Sequence, residues 1–236
     1  MTAAANAVHI YYADGRAFTE EVAATFVTAE DRLRLDAPMQ PRRRTEYLLG
    51  RTLLRHALGR VTGRAAASFR IRVLPDGKPE CVGGPAISLS HSGELAICAV
   101  AEHGAVGVDV ETRRPRADLG VIAERYFTPA EARWIAADPD ARFRMLWVLK
   151  EAYLKALGSG LAGGLATLEC RIEPPAIVAR VAGGGAEPRL TLWSGQGCYV
   201  GLAVTNSPPL AISVERFAPA AGPDVFGPLA AVAATA

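Results

Sequence analysis

Two carboxylates stand two residues apart in VGVDVE, Val106–Glu111. The stretch alternates, with Val106, Val108 and Val110 on one side and Gly107, Asp109 and Glu111 on the other. That is the two-residue period of a β-strand, and it puts both acids on one face about 7 Å apart. Such a face is either the solvated side of a half-buried strand or a cation site. A third carboxylate bears on the choice. In LWVLKEAYLKALGSG (Leu146–Gly160), Glu151 and Lys155 lie one helical turn apart, beside an apolar stripe of Phe143, Trp147, Leu154 and Leu157. On an ordinary helix surface a Glu–Lys pair of this kind is worth only a few tenths of a kcal/mol. If this helix packs over the strand, however, Asp109, Glu111 and Glu151 converge. Three hard oxygen donors without His or Cys suit Mg²⁺, with Mn²⁺ as a substitute, and not zinc. Mg²⁺ keeps waters and completes its shell with substrate phosphates, so basic residues are expected nearby.

Candidates for that role are Lys78 in DGKP (Asp76–Pro79), His91 in the SHSG turn (Ser90–Gly93) and the arginine-rich PRRRTEYLLGR (Pro41–Arg51). Each has an unremarkable alternative: a surface turn, a hairpin loop or a solvated helix start. Only three of the 26 basic residues are lysine, Lys78, Lys150 and Lys155. A chain that otherwise uses arginine points to positions where a compact charge is wanted.

The elements that must position these residues follow from periodicity and punctuation. Strands are expected at Val8–Ala13, Arg70–Leu74, Ala86–Leu89, Leu95–Ala101 and Val106–Glu111, then at Thr167–Ile172, Ala176–Val181, Arg189–Trp193, Tyr199–Thr205 and Ala211–Phe217. Helices are expected at Ala29–Leu35 with Thr28 as N-cap, Pro41–Leu58 ended by Gly59, Leu119–Tyr126, and Arg142–Leu157 ended by Gly158. Thr128-Pro129-Ala130-Glu131 has the form of a capping box.

Leu95–Glu111 matches Tyr199–Glu215 at an offset of 104, and the helical Tyr47–Arg55 matches Trp147–Lys155 at an offset of 100. The expectation is an α+β fold: a duplicated, pseudo-twofold unit, each half an antiparallel sheet packed on a long helix. Its halves would be 1–111 and 112–217, with 218–236 a flexible Ala/Pro/Gly-rich tail. In this alignment Ser213 stands where Asp109 stands and Arg51 where Glu151 stands. The acidic site would then exist once, at the junction of the halves.

With 236 residues, 50% of them hydrophobic, and a net charge of +2, the chain has an ordinary globular composition. The charge is not the strong, clustered basicity of a nucleic-acid binder. No apolar run is long enough to span a membrane, and no signal peptide is read at the N-terminus. The cysteines, Cys81, Cys98, Cys170 and Cys198, form no Cys-x-x-Cys pair. Reduced thiols in a cytoplasmic protein are the expectation.

Taken in order, GKP (Gly77–Pro79), SLSHSG (Ser88–Gly93), GVDVE (Gly107–Glu111), RYFTPAE (Arg125–Glu131) and WVLKEAYLKALGSGL (Trp147–Leu161) resemble the 4′-phosphopantetheinyl transferases, in their long, surfactin-synthetase-activating form. The likeness covers about Thr28 to Leu161. Beyond Leu165 it is one of strand pattern and length only. The resemblance implies a pseudo-twofold monomer that moves 4′-phosphopantetheine from coenzyme A to a serine of an acyl or peptidyl carrier protein, releasing adenosine 3′,5′-bisphosphate. It implies Asp109, Glu111 and Glu151 on Mg²⁺, with Asp109 also at the coenzyme A pyrophosphate, Glu151 taking the serine proton and Lys155 on the α-phosphate. It also implies Lys78 and Pro79 at the adenine, Ser90 and His91 at the phosphates, and Arg34, Arg44 and Arg51 as further phosphate contacts. Lys150 would face the pantetheine or the carrier, and the carrier would dock on Thr112–Arg133. The competing reading is a non-catalytic module that binds coenzyme A or a carrier. Such a module has no need for Asp109, Glu111, Glu151 and Lys155 together. A nucleoside-triphosphate enzyme is disfavoured because no Walker-type glycine loop occurs.

Overall fold

The computed structural model describes residues 6–114, 118–206, 210–218 and 229–235. In chain order its elements begin with β1 (Asn6–Asp14), α1 (Glu20–Ala24), α2 (Ala29–Leu35), α3 (Pro41–Thr62), β2 (Ile71–Val73), β3 (Pro79–Cys81), β4 (Ala86–Ser92) and β5 (Leu95–Ala101). They continue with β6 (Ala105–Thr112), α4 (Leu119–Tyr126), α5 (Pro129–Ala136), α6 (Pro139–Leu157), β7 (Leu168–Glu173), β8 (Ala176–Val181), β9 (Arg189–Gly195), β10 (Cys198–Thr205), β11 (Leu210–Arg216) and β12 (Ala230–Ala234). Among the described residues no helix is long and apolar enough to cross a membrane.

The chain divides into two compact units. The first holds β1–β5, α1–α3 and β11; the second holds β6–β10, α4–α6 and β12. The division falls after His103, not after Glu111, because β6 leaves β5 and pairs with β10. The first sheet runs β11-β1-β5-β4, and the second β6-β10-β9-β12-β8-β7. The mixed α+β architecture is as expected. Both sheets are antiparallel except where an outlying strand joins: β11 beside β1, and β12 beside β8. Residues 219–228 and 236 of the expected tail lie outside the described residues. Ala230–Ala234 form β12, which pairs with β9.

Each unit lays its long helix on its sheet. The longer of the two, α3, continues past Gly59 to Thr62 and ends at Gly63 in the left-handed conformation (φ 71°). Within α3, Leu53, Leu54, Ala57 and Leu58 are buried against Tyr11, Cys98 and Val100. In the second unit Phe143, Leu146, Leu149 and Tyr153 of α6 join Leu190, Leu192, Tyr199 and Ala203 in one core. Leu157, at the end of the predicted apolar stripe, is 51% exposed.

The duplication is visible, but its register differs from the sequence match. β4–β5 turns at Gly93–Glu94, with Ser92 opposite Leu95; β9–β10 turns with Gly195 opposite Cys198. The hairpins therefore correspond at an offset of 103 (92 to 195, 95 to 198), one less than the match by residue type. A one-residue slip turns every side chain to the other face of the sheet. Cys98 accordingly corresponds to Gly201. The Cys98 thiol reaches Leu53 O on α3, as Gly201 abuts Val148 on α6. The position beside the central strand is filled by β1 in one unit and β6 in the other. Tyr11 opposite Cys98 then occupies the place of Asp109 opposite Gly201, and Ser213, the expected counterpart, pairs with His9 one strand further out.

A second duplicated device is chemical. Thr28 and Thr128 each cap a short helix in a full capping box, with Asp31 and Glu131 at N3. Both acids are buried, and both pair with cations of the long helix. Asp31 receives Arg55 at 2.9 Å and Arg51 at 3.3 Å, while Glu131 receives Lys150 at 2.8 Å. Burial raises the Asp31 carboxyl pKa, but the Thr28 N–H and hydroxyl and the Arg55 and Arg51 charges outweigh it, leaving it below the usual range.

Candidate active site

The acidic strand and the Glu–Lys helix come together inside the second unit. What permits this is the absence of side chains at two crossing points. A Cβ on Gly107 would lie 1.8 Å from Ala152 O, and one on Gly201 would lie 2.4 Å from Val148 O. Because Gly201 is opposite Asp109 and Gly107 is two residues before it, both glycines share the face of the acids. The helix backbone rests on that face, and α6 thereby delivers Glu151 and Lys155 to the strand.

Asp109 is buried at 5% exposure, so the acidic face is not simply solvated. Its Oδ1 accepts from Lys155 Nζ at 2.7 Å, and the same ammonium lies 3.3 Å from Val108 O. Glu111 is partly buried, with Arg144 Nη1 3.9 Å from its Oε2. Burial pushes the Glu151 carboxyl above the ordinary glutamate range, and the negative charges of Asp109 and Glu111 push it further; Lys155 opposes them. The three acids thus feel one another. Among the described residues no three His, Cys, Asp or Glu side chains close on a single point. Lys155 holds one Asp109 oxygen and Arg144 draws on Glu111, so the trio is an open cluster and not a cage. An open cluster fits Mg²⁺, which uses one or two carboxylates and leaves the rest of its octahedron to waters and substrate phosphates.

Lys150 does not face a ligand. It is fully buried, pairs with Glu131, donates to Leu165 O at 2.9 Å and also to Leu168 O, and lies 5.3 Å from the centre of the Phe127 ring. It ties α6 to the start of β7. Glu131 Oε1 also accepts from Cys170 N at 2.8 Å, which locks the same junction.

The basic candidates belong to the first unit. Lys78 lies at the end of the Leu74–Lys78 turn, where Gly77 takes φ 88°, and Pro79 opens β3. Burial pushes the Lys78 ammonium below its usual range, opposed by Asp76. Ser90 and His91 lie in the ladder of β4 and not in a turn, so they face opposite sides: Ser90 is buried, and the His91 side chain is 51% exposed. His91 Nε2 is 4.0 Å from Glu46 Oε2, and Arg42 holds the other oxygen of Glu46 at 2.9 Å. Arg44 donates to Leu35 O, and Arg34 lies over the Tyr47 ring. Arg51 is a core residue at 7% exposure, engaged with Asp31 and Ile71 O, and this removes it from the exposed anion-binding set.

Arg144 was not singled out by residue type, although it sits beside Glu111. At i+4 from Asp140 it reads as a surface pair. Gly107 carried a signal that went unused, being the one residue without a side chain on the acidic face.

Two family models match along the chain. The 4′-phosphopantetheinyl transferase superfamily matches residues 105–198, and the 4′-phosphopantetheinyl transferase N-terminal domain matches residues 29–101. The chain belongs to the 4′-phosphopantetheinyl transferases, enzymes that move the phosphopantetheine arm of coenzyme A onto carrier proteins. It is 34% identical over 164 residues to the 4′-phosphopantetheinyl transferase HetI of Nostoc sp. strain PCC 7120, covering 66% of this chain and 68% of that protein. It is 33% identical to the transferase psf-1 of Bacillus pumilus, over 53% of this chain and 55% of that protein. To the 4′-phosphopantetheinyl transferase of Bacillus subtilis it is 32% identical, over 60% and 64% respectively.

Proposed function

We propose that the acidic cluster of the second unit is the Mg²⁺-dependent transfer site, at which a carrier-protein serine takes 4′-phosphopantetheine from coenzyme A and adenosine 3′,5′-bisphosphate leaves. The observation that carries this is the electrostatic crowding of Asp109, Glu111 and Glu151, with Lys155 on the Asp109 carboxylate. Crowding of like charges is unfavourable in the protein alone and is relieved by a cation.

In this reading Asp109, Glu111 and Glu151 hold the metal, which supplies charge neutralisation to the coenzyme A pyrophosphate. The serine oxygen attacks phosphorus in line, and the bond to the departing bisphosphate breaks as the new ester bond forms. Glu151 is assigned to receive the serine proton, directly or through water. With substrate bound, Lys155 turns from Asp109 to the α-phosphate and stabilises the charge that develops there.

Lys78 and Pro79 are assigned to the adenine end, and His91 and Ser90 to the phosphates, with Arg44 and Arg34 as outer basic contacts. The carrier is assigned to the surface of α4, where Val121 is 64% and Tyr126 47% exposed and Arg125 lies over the Tyr126 ring. An apolar surface rimmed by basic charge suits an acidic partner. The four cysteines are buried thiols outside any disulfide, as suits a reducing cytoplasm, and the reading takes the enzyme as a monomer.

Mass spectrometry of several apo-carriers incubated with enzyme, coenzyme A and Mg²⁺ tests this. The expected result is a gain of one phosphopantetheine with the wild type and none when the metal is chelated. Undiminished transfer after chelation would sink the metal reading.

A further inference from the structure

The side chain that best fits a role beyond these assignments is Arg144. It is 1% exposed, so its charge and five donors must be met inside the protein. Nη1 donates to Thr112 O at 3.1 Å and Nη2 donates to Arg114 O, which pins the backbone where it leaves β6. Nε and Nη2 bond Asp140 Oδ1 at 3.2 and 2.7 Å, and Nη1 lies 3.9 Å from Glu111 Oε2. The two carboxylates differ in setting: the Asp140 side chain is 53% exposed and that of Glu111 17%. Asp140 holds the guanidinium by hydrogen bonds at the solvent edge, where its charge is screened, and the more buried Glu111 adds a charge partner at 3.9 Å on the inner side. A helix-surface pair with Asp140 alone would need neither the burial nor the two backbone carbonyls that follow Glu111 in the chain.

We propose that Arg144 is a positioning residue for the metal site, fixing the end of β6 and orienting the Glu111 carboxylate toward the position of the divalent cation. This rests on the reading of the acidic cluster as a Mg²⁺ site. Partners of metal ligands commonly contribute about 10- to 100-fold in metal affinity.

The test is Mn²⁺ binding followed by the electron paramagnetic resonance signal of the free ion, with adenosine 3′,5′-bisphosphate present and no carrier. Arg144→Met is compared with wild type in two backgrounds, Glu111 and Glu111→Gln. The expected result is binding about 10-fold weaker in the Glu111 background and little further loss in the Gln background, because Arg144 acts through Glu111. Arg144→Lys, which keeps the charge and loses the fork, is expected to fall between. If Arg144→Met does not fold, the Lys variant carries the same comparison. Equal loss in both backgrounds, or no loss in either, overturns the proposal while leaving the site reading intact. Failure of the wild type to bind Mn²⁺ overturns both.

Discussion

The two units share a scaffold and differ in what they mount on it. Each lays a long helix across a β-hairpin and a third strand, and each buries a capping-box acid under a cation of that helix. On the central strand Cys98 of one corresponds to Gly201 of the other; on the neighbouring strand Tyr11 corresponds to Asp109 and Ala13 to Glu111. From the helix, Arg51 corresponds to Glu151 in the sequence match. In the first unit these positions are filled by packing and by an internal ion pair, so the helix–sheet interface is closed. In the second they are glycine and acid, so helix backbone meets strand backbone and charges collect beside the contact. The buried Asp31 and Glu131 pairs, present in both, belong to the scaffold. The acids, present in one, are the residues proposed to carry the transfer.

The sharpest test of this division is activity. Asp109→Ala or Glu151→Ala is expected to lower the rate of phosphopantetheine transfer by a factor of at least about 10³ with the fold retained by circular dichroism, whereas Tyr11→Phe in the first unit leaves the rate within about twofold. A fully active Glu151→Ala would erase the difference between the units.

Next is the shared device. Asp31→Asn and Glu131→Gln each strand a buried cation and are expected to cost about 3–5 kcal/mol in urea unfolding. A loss in one unit only would show that the pairs are not equivalent.

The crossing points come third. Gly201→Ala forces a Cβ into the α6 backbone and is expected to cost about 1–3 kcal/mol, whereas Cys98→Ala only shrinks a side chain that already fits, and costs about 1 kcal/mol.

Smallest is the effect of Glu151→Gln on stability. The folded-state pKa of Glu151 is raised, so the folded protein binds that proton more tightly than the unfolded chain does. Stability is therefore lost as pH rises from the ordinary glutamate range through the raised value. The permanently neutral Gln escapes this loss. The metal-free variant is expected to be slightly more stable than wild type at neutral pH, and the gain should vanish under acid. A variant less stable than wild type at neutral pH would contradict the crowding.

Most of the elements were readable from periodicity and caps, because the signals are local: α2 with Thr28 as its N-cap, α4, the Thr128–Glu131 capping box of α5 and the Gly158 end of α6 stand as expected. The proximity of Asp109, Glu151 and Lys155 was readable because a strand and a helix each display their charged residues at fixed spacing. What escaped depends on which partner a segment meets. The offset of 104 was the best match of residue types, but similar small apolar residues on both faces of β5 and β10 hide a one-residue slip. Lys150 and Arg51 look like ligand contacts by type, and only tertiary packing reveals the buried acids that claim them. β12 lies in an alanine-rich stretch with little intrinsic strand preference, and β9 supplies the pairing that makes it a strand.

The place of β11 has a consequence for how the molecule is made. His9 on β1 hydrogen-bonds Ser213 on β11 across 204 residues, and β6–β10 and α4–α6 of the second unit are translated between them. At about 5–20 residues per second, β1 waits at least ten seconds on the ribosome before its parallel partner emerges. In that interval one side of the first sheet presents unpaired backbone, a template for wrong pairings. Joining distant strands is also the slow, entropically costly part of folding. The first sheet is therefore completed only when β11 emerges, after β6–β10 have been made, and a nascent chain stalled before β11 leaves the edge of β1 open to aggregation.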